Sequence, residues 1–104
     1  AIVDDGAHLL HLLRLDGTQF GSIEVALQKA RAAIAFRRPT KVWEEHVAEG
    51  RMRYLALPGT LPIAGGLPII VDGQFIGAIG VSGVRSNQDA QIAQAGIDAL
   101  LKSG

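Results

Sequence analysis

Residues 67–84 read LPIIVDGQFIGAIGVSGV and carry the clearest fold signal in the chain. An apolar run, Leu67–Val71, is followed by Asp72-Gly73 and then by a second apolar run, Phe75–Val84. Asp-Gly between two such runs is typical of a tight β-hairpin turn, because glycine readily takes the positive φ that the turn requires. Asp72 is also the one charged residue within residues 63–84, so the sequence predicts a hairpin that is central and buried.

Helices are predicted on both sides of this hairpin. Upstream, apolar residues recur at helical spacing over Ser22–Phe36, with Ser22 as the predicted cap and Pro39 as the stop signal. A shorter helix is predicted over Thr40–Glu49. Downstream, Ser86-Asn87-Gln88-Asp89 has the capping-box pattern that begins a last helix.

The first residues predict another hairpin. Ile2-Val3 precedes Asp4-Asp5-Gly6, and the second arm, His8–Leu15, is mostly apolar on both faces. Such an arm suits a strand that is covered on both sides, or one that is covered by a subunit partner. The resulting order, ββ–α–(α)–ββ–α, predicts an α+β domain in which helices pack on an antiparallel sheet.

Composition narrows the class of protein. The chain has 104 residues, enough for one domain, and ten basic residues balance ten acidic ones. A nucleic-acid partner is not expected without a basic excess, and no apolar run is long enough for a membrane span. The chain has no cysteine, which excludes thiolate chemistry and Cys-ligated metals. We expect a cytoplasmic protein. Secretion is the alternative, because the chain opens at Ala1 as if within a strand, and the upstream sequence that would carry a targeting segment is expected to be missing.

A combination of short motifs carries a specific resemblance. The motifs, in chain order, are Asp5-Gly6, Leu15-Asp16-Gly17, Lys29-Ala30, Phe36-Arg37-Arg38-Pro39-Thr40, Leu57-Pro58-Gly59, Gly65-Gly66-Leu67-Pro68, Gly77–Gly83, Asp89, Gln91-Ile92-Ala93 and Ala95-Gly96. This string resembles the GlcG/HbpS-like family, or haem-degrading domain family, to which the C-terminal domain of PduO-type proteins also belongs. The resemblance covers nearly all of the chain.

The resemblance implies a profilin-like fold, with an antiparallel sheet of about four to five strands and helices packed on it. Members begin with a helix and the start of a strand that this single domain lacks. They form dimers and higher homo-oligomers, and some bind or degrade haem. Haem binding is therefore the expected function. The alternatives are a non-haem binder of a small organic acid or aldehyde, encoded with glycolate-type metabolism, and a ligand-free assembly module.

Haem needs an iron ligand and cations for its propionates. His, Met and Tyr are ordinary axial ligands, and this chain offers them at His8, His11, His46, Met52 and Tyr54. The alternative for His8 and His11 is an edge or interface histidine without a ligand role.

Other site residues follow from the resemblance and from charge. Haem-binding relatives place a threonine near the iron in a segment comparable to Phe36–Thr40, which implies that role for Thr40. Arg37 and Arg38 could pair with propionates, or could simply favour the C-terminal end of a helix. Lys29 could attract an acidic ligand, or could be a solvated lysine with a buried stem. Glu44, Glu45 and Glu49 could hold iron loosely, or could form a solvated helix face.

Overall fold

The computed structural model describes residues 1–83 and 85–103. Four strands, β1 (Ile2–Asp4), β2 (Leu9–His11), β3 (Gly66–Val71) and β4 (Gln74–Gly80), form one antiparallel sheet in the order β2-β1-β4-β3. Three helices, α1 (Phe20–Phe36), α2 (Lys41–Ala48) and α3 (Ser86–Ser103), accompany it, with a 3₁₀ turn at Met52–Leu55. The predicted α+β class is confirmed.

The β3–β4 hairpin has the predicted turn. Asp72 and Gly73 both take positive φ, 51° and 77°, as a two-residue turn between twisted strands requires. The return strand ends at Gly80, and Val84, where its end was predicted, lies outside the described residues. The prediction of a central hairpin holds for β4 alone, because β1 pairs with β4 and leaves β3 at the edge of the sheet.

The outer edge of β3 is blocked in two ways. The Gly66 N–H donates to Thr40 Oγ1 at 2.9 Å, and the Gly66 carbonyl accepts the Thr40 N–H at 3.0 Å. Two residues further along, Pro68 has no N–H to offer a neighbouring strand. Both devices discourage pairing of β3 with another strand.

Helix α1 packs on one face of the sheet at very short range. A Cβ added to Gly80 would collide with the Ala26 carbonyl, and one added to Gly66 would collide with the Lys29 carbonyl. The hydrophobic core of this face consists of small or branched side chains: Val3, Ala30, Ala33, Ile34 and Ala78. Glycine and alanine therefore let the helix backbone touch the strands directly.

Helix α1 ends at the predicted residue, Phe36, but begins at a different one. The helix begins two residues early, at Phe20, and Gln19 holds the N-cap position without a side-chain hydrogen bond. Ser22 therefore lies within the first turn and does not cap the helix. Arg37 ends the helix in the left-handed region at φ 54°, ahead of Pro39.

Helix α3 lies on the opposite face, against Ile79 and Ile69. Its first turn is capped differently from the prediction. The Arg85 carbonyl accepts the first intrahelical N–H, and the Arg85 N–H donates to Gln88 Oε1 at 3.4 Å. The Ser86 side chain lies outside what the structure describes. The Asp89 carboxylate, which the capping-box pattern assigns to the helix end, is buried in the protein.

The first hairpin is shorter than predicted. The Asp4 carboxylate accepts the N–H groups of Gly6 and His8, both at 2.9 Å, and fixes the turn. Strand β2 ends at His11, although the predicted arm ran to Leu15. All residues of β2 are exposed, so nothing within the described chain covers this strand on both sides. Among the described helices, none is long and apolar enough to cross a membrane.

Candidate functional site

An open cavity of about 810 Å³ lies beside strand β2. We call it the β2 cavity. One wall is the irregular segment 11–19 that runs from the end of β2 to the start of α1. The opposite walls are the end of β4 with the segment after it, residues 79–83, and the first turns of α1 and α3. Strands β1, β2 and β4, helices α1 and α3 and two irregular segments thus converge on a single space.

The walls of the β2 cavity are mainly apolar, with two basic side chains. Leu12, Ile23, Ile79 and Ile92 supply aliphatic surface, and His11 and Arg14 supply the basic groups. His11 is exposed, and Arg14 places its guanidinium 5.2 Å from the centre of the Phe20 ring. The lining also includes six other polar side chains, Asp16, Thr18, Gln19, Ser22, Ser82 and Asp89. A largely apolar cavity of this size with polar groups in its wall is the usual form of a small-molecule site.

A buried ion pair joins α1 to α3 at one end of this cavity. Lys29 and Asp89 are 1% and 2% exposed, and Lys29 Nζ lies 3.1 Å from Asp89 Oδ2. Lys29 Nζ also donates to the Val81 carbonyl at 2.9 Å, and Asp89 lines the cavity. The lysine is therefore neither solvated nor held out toward a ligand, because its charge is balanced inside the fold. A position 60 residues away supplies the partner, and no spacing rule links the two in the sequence.

Thr40 lies inside the fold. It is 0% exposed, and its hydroxyl accepts the Gly66 N–H described above. The side chain thereby fixes the junction between α1 and α2 to the edge of β3. It does not line the β2 cavity, so the ligand role that the family resemblance implied has no surface from which to act in this structure.

Arg37 and Arg38 lie over aromatic rings. The Arg37 guanidinium is 5.4 Å from the centre of the Phe75 ring, and that of Arg38 is 5.2 Å from the Trp43 ring. Arg38 Nε also donates to the Phe36 carbonyl at 3.1 Å. Such stacking is a common use of the planar guanidinium, and it places both arginines away from the β2 cavity.

His46 belongs to a separate group of rings, the α2 aromatic cluster, which we define as Phe36, Trp43, His46 and Tyr54. His46 stacks on Tyr54, with ring centres 4.8 Å apart and planes at 19°. Its Nδ1 lies 3.1 Å from Arg51 NH1, and since arginine can only donate, Nδ1 is the acceptor and Nε2 carries the proton. The Trp43 ring is 4% exposed, and its Nε1 has no hydrogen-bond partner among the residues that the structure describes.

The remaining candidates are surface groups. His8 lies 3.3 Å from the Asp4 carboxylate in the first turn, and Met52 is exposed. Glu45 pairs with Lys41 at 3.7 Å and Glu49 with Arg51 at 3.8 Å, as on a solvated helix face. Within residues 1–83 and 85–103, no group of three or more His, Asp or Glu side chains could hold a metal ion.

The structure thus divides the predicted site residues among separate places. Only His11 lines the β2 cavity. His46 and Arg38 meet at the α2 aromatic cluster, and Lys29 and Thr40 are interior. Sequence reasoning missed Arg14 as a companion of His11, although the two are three residues apart and the segment between them is exposed.

Comparison with known proteins gives a consistent family. The family model described as "Haem degrading protein HbpS-like" matches residues 1–98. The chain is 45% identical over 82 residues to Protein GlcG of Escherichia coli K12, which is 79% of this chain and 61% of that protein. The chain therefore spans less than two thirds of the length of this relative.

Solved structures agree in fold. A double mutant of HbpS from Streptomyces reticuli superimposes with a TM-score of 0.83 at 34% identity, covering 95% of this chain and 68% of that one. A PduOC:heme complex superimposes with a TM-score of 0.82 at 30% identity, covering 94% of this chain and 74% of that one.

Proposed function

The chain belongs to the HbpS-like family of haem-degrading proteins, and we propose that it binds haem in the β2 cavity with His11 as the iron ligand. The family description and the haem in a structural neighbour support haem as the ligand. The single observation that carries the location is the pairing of an apolar cavity of about 810 Å³ with an exposed histidine in its wall.

The residues of the cavity fit the chemistry of haem. The porphyrin ring needs aliphatic walls, which Leu12, Ile79 and Ile92 provide. The iron needs an imidazole lone pair from His11, and a propionate needs a cation such as Arg14. Haem, once bound, supplies an iron centre whose potential depends on its axial ligand and on burial.

His46 is the weaker choice of ligand. Its Nδ1 already accepts from Arg51, so Nε2 carries a proton and offers no lone pair to iron without a change of tautomer. Tyr54 covers one face of the ring. The His11 ring makes no hydrogen bond within the described part of the chain, so its lone pair needs no such change.

The hypothesis of a small organic acid as ligand loses its first support, because Lys29 is paired with Asp89. The remaining support for an organic-acid ligand is the pair of cationic side chains Arg37 and Arg38, both of which stack on aromatic rings. This hypothesis therefore serves as the alternative outcome of the experiment below.

The test is a hemin titration of the intact protein, followed in the Soret region. We expect a saturable shift at one haem per subunit, with His11→Ala weakening the affinity at least tenfold and moving the band. The matched control is His8→Ala, which removes an exposed histidine three residues away that does not line the cavity. It should titrate like the wild type.

Two results would contradict the proposal. Equal effects of His11→Ala and His8→Ala would exclude His11 as the ligand, and His46→Ala would then be tested. No saturable shift at all would direct the search to organic acids, through thermal shift with millimolar glycolate or glyoxylate. Loss of the Soret band of the loaded protein under ascorbate and air would extend the proposal from binding to haem degradation.

A further inference from the structure

We propose that the α2 aromatic cluster and three arginines around it, Arg38, Arg51 and Arg53, bind the phosphate group of a phosphomonoester. We call this surface the arginine site. None of its residues lines the β2 cavity, so the proposal does not depend on haem binding. The site lies beyond the β3 edge of the sheet, because Thr40, directly before α2, is bonded to Gly66 of that strand, whereas β2 forms the opposite edge.

Two of the guanidinium groups lie over neighbouring rings of the cluster. The Arg38 guanidinium is 5.2 Å from the centre of the Trp43 ring, and the Arg53 guanidinium is 5.2 Å from the centre of the Tyr54 ring. The centres of these two rings are 5.3 Å apart. Stacking restrains a guanidinium group, so less side-chain entropy is lost when an anion binds to it.

The third arginine is held by the imidazole of the cluster. Arg51 NH1 donates to His46 Nδ1 at 3.1 Å, and the Arg51 N–H donates to the His46 carbonyl at 3.0 Å. The His46 ring in turn stacks on Tyr54, the residue that follows Arg53. Arg51 and Arg53 therefore bring two cations to one stacked pair of rings.

The protein neutralises these cations only weakly. Within residues 1–83 and 85–103, Arg38 and Arg53 make no ion pair, and Arg51 NH2 lies 3.8 Å from Glu49, too far for a hydrogen bond. All three arginines are exposed, and the chain has no acidic residue between Gly50 and Val71. An anion from solution can therefore reach guanidinium N–H groups that the fold leaves available.

A buried donor at the centre of the site also points to a ligand. Trp43 is 4% exposed, and its Nε1 is, in the described part of the chain, the one buried side-chain polar atom without a hydrogen bond. Native proteins rarely keep such an N–H without an acceptor, because its desolvation is costly. An oxygen of an anion held by Arg38, whose guanidinium lies over the same ring, would supply the acceptor.

The number and kind of the donors favour phosphate over carboxylate. Three guanidinium groups and an indole N–H surround the site, and a carboxylate has only two oxygens to offer them. A phosphomonoester has three terminal oxygens and about two negative charges, and its oxygens match the planar fork of arginine. Since the arginines are exposed, the organic part of the ester can remain in solvent.

The test uses Trp43, the only tryptophan of the chain, whose fluorescence and indole N–H resonance report on this site alone. Glycerol phosphate is titrated into the intact protein at constant ionic strength, and acetate serves as the carboxylate probe. The variants are Arg38→Gln and Arg53→Gln. The matched control is Arg37→Gln, which removes the adjacent exposed arginine, whose guanidinium lies over Phe75 outside the cluster.

We expect glycerol phosphate to change the fluorescence saturably and to move the indole N–H resonance downfield, as a newly formed hydrogen bond does. Arg38→Gln and Arg53→Gln should each weaken the affinity at least tenfold, with native circular dichroism, and Arg37→Gln should change it less than twofold. Acetate should bind at least tenfold more weakly than glycerol phosphate. If one cluster variant does not fold, the other carries the comparison.

Three results would overturn the inference. The first is a wild-type protein without a saturable response to glycerol phosphate. The second is an equal loss of affinity in Arg37→Gln and Arg38→Gln, which would indicate attraction by overall charge. The third is acetate binding as tightly as glycerol phosphate. The result of the hemin titration bears on none of these outcomes, so the two proposals fail or stand separately.

Discussion

At the scale of single residues, the buried pair of Lys29 and Asp89 has the largest energetic consequence. Two charges that are almost fully removed from water are tolerable only together, because either one alone would keep its desolvation cost without compensation. Breaking the pair by removing one partner is strongly destabilising, typically by about 3–5 kcal/mol.

We therefore expect Lys29→Met to lower the free energy of unfolding by about 3–5 kcal/mol, measured by urea denaturation. The double variant Lys29→Met/Asp89→Leu should recover most of that loss, since no charge remains buried. If the double variant is no more stable than the single one, the pair is not the source of the effect.

Thr40 supports a second prediction at this scale. Thr40→Val keeps the shape of the side chain but leaves the buried Gly66 N–H without an acceptor, which costs about 1–3 kcal/mol. Thr40→Ser retains the hydroxyl and should lose less. Both variants should bind haem with wild-type affinity per folded molecule. A Soret change found only in Thr40→Val would contradict this and would support a role for Thr40 near the haem iron.

At the scale of elements, the contact between α1 and the sheet depends on the absence of side chains. Gly80→Ala would force a methyl group against the Ala26 carbonyl, so we expect a loss of more than about 2 kcal/mol in the free energy of unfolding. Gly21→Ala is the control, because nothing lies within 4 Å of its added Cβ and it sits in the first turn of the same helix. There alanine should stabilise the helix by up to about 1 kcal/mol. Equal effects of the two changes would contradict the close approach.

The first hairpin gives a prediction of pH dependence. The pKa of Asp4 is lowered from its ordinary value of 3.8, chiefly because its carboxylate accepts the His8 N–H. A depressed carboxyl pKa contributes stability that is present above the ordinary value and is lost as the pH falls through the folded value. The protection factors of the Gly6 and His8 amides, which correct for the intrinsic pH dependence of exchange, should therefore fall below about pH 4, and Asp4→Asn should flatten that dependence. An identical acid profile in Asp4→Asn would contradict the assignment.

At the scale of the whole molecule, the balance of charge affects how copies associate. Ten basic and ten acidic residues give a formal net charge of zero, and the exposed large apolar side chains of residues 9–20 are mainly leucine. Association through an apolar surface is screened little by salt. The mass measured by light scattering should thus stay constant between low salt and about 1 M NaCl, where the screening length falls to about 3 Å. Dissociation at high salt would indicate a polar interface elsewhere.

The fold could be predicted from the sequence where local chemistry decides it, and the site could not where distant residues decide it. Asp72-Gly73 specifies its turn through its own backbone preferences, and the alanines of α1 specify a close helix. The link from Lys29 to Asp89 joins residues 60 positions apart, which no local pattern relates. The predicted arm His8–Leu15 was too long, because its apolar pattern continues past His11, the last residue of β2 that pairs with β1.

Because of the glycines beneath α1, the two faces of the sheet differ in how well they tolerate amino-acid substitutions. On that face, helix and strands meet backbone to backbone at Gly66 and Gly80, so a larger side chain cannot be accommodated by repacking its neighbours. On the other face, Ile79 meets α3 through ordinary side chains, with an open groove beside Ile97. A new ligand-binding site would therefore be designed on the α3 face, where substitutions can compensate one another, and the α1 face would be left unchanged.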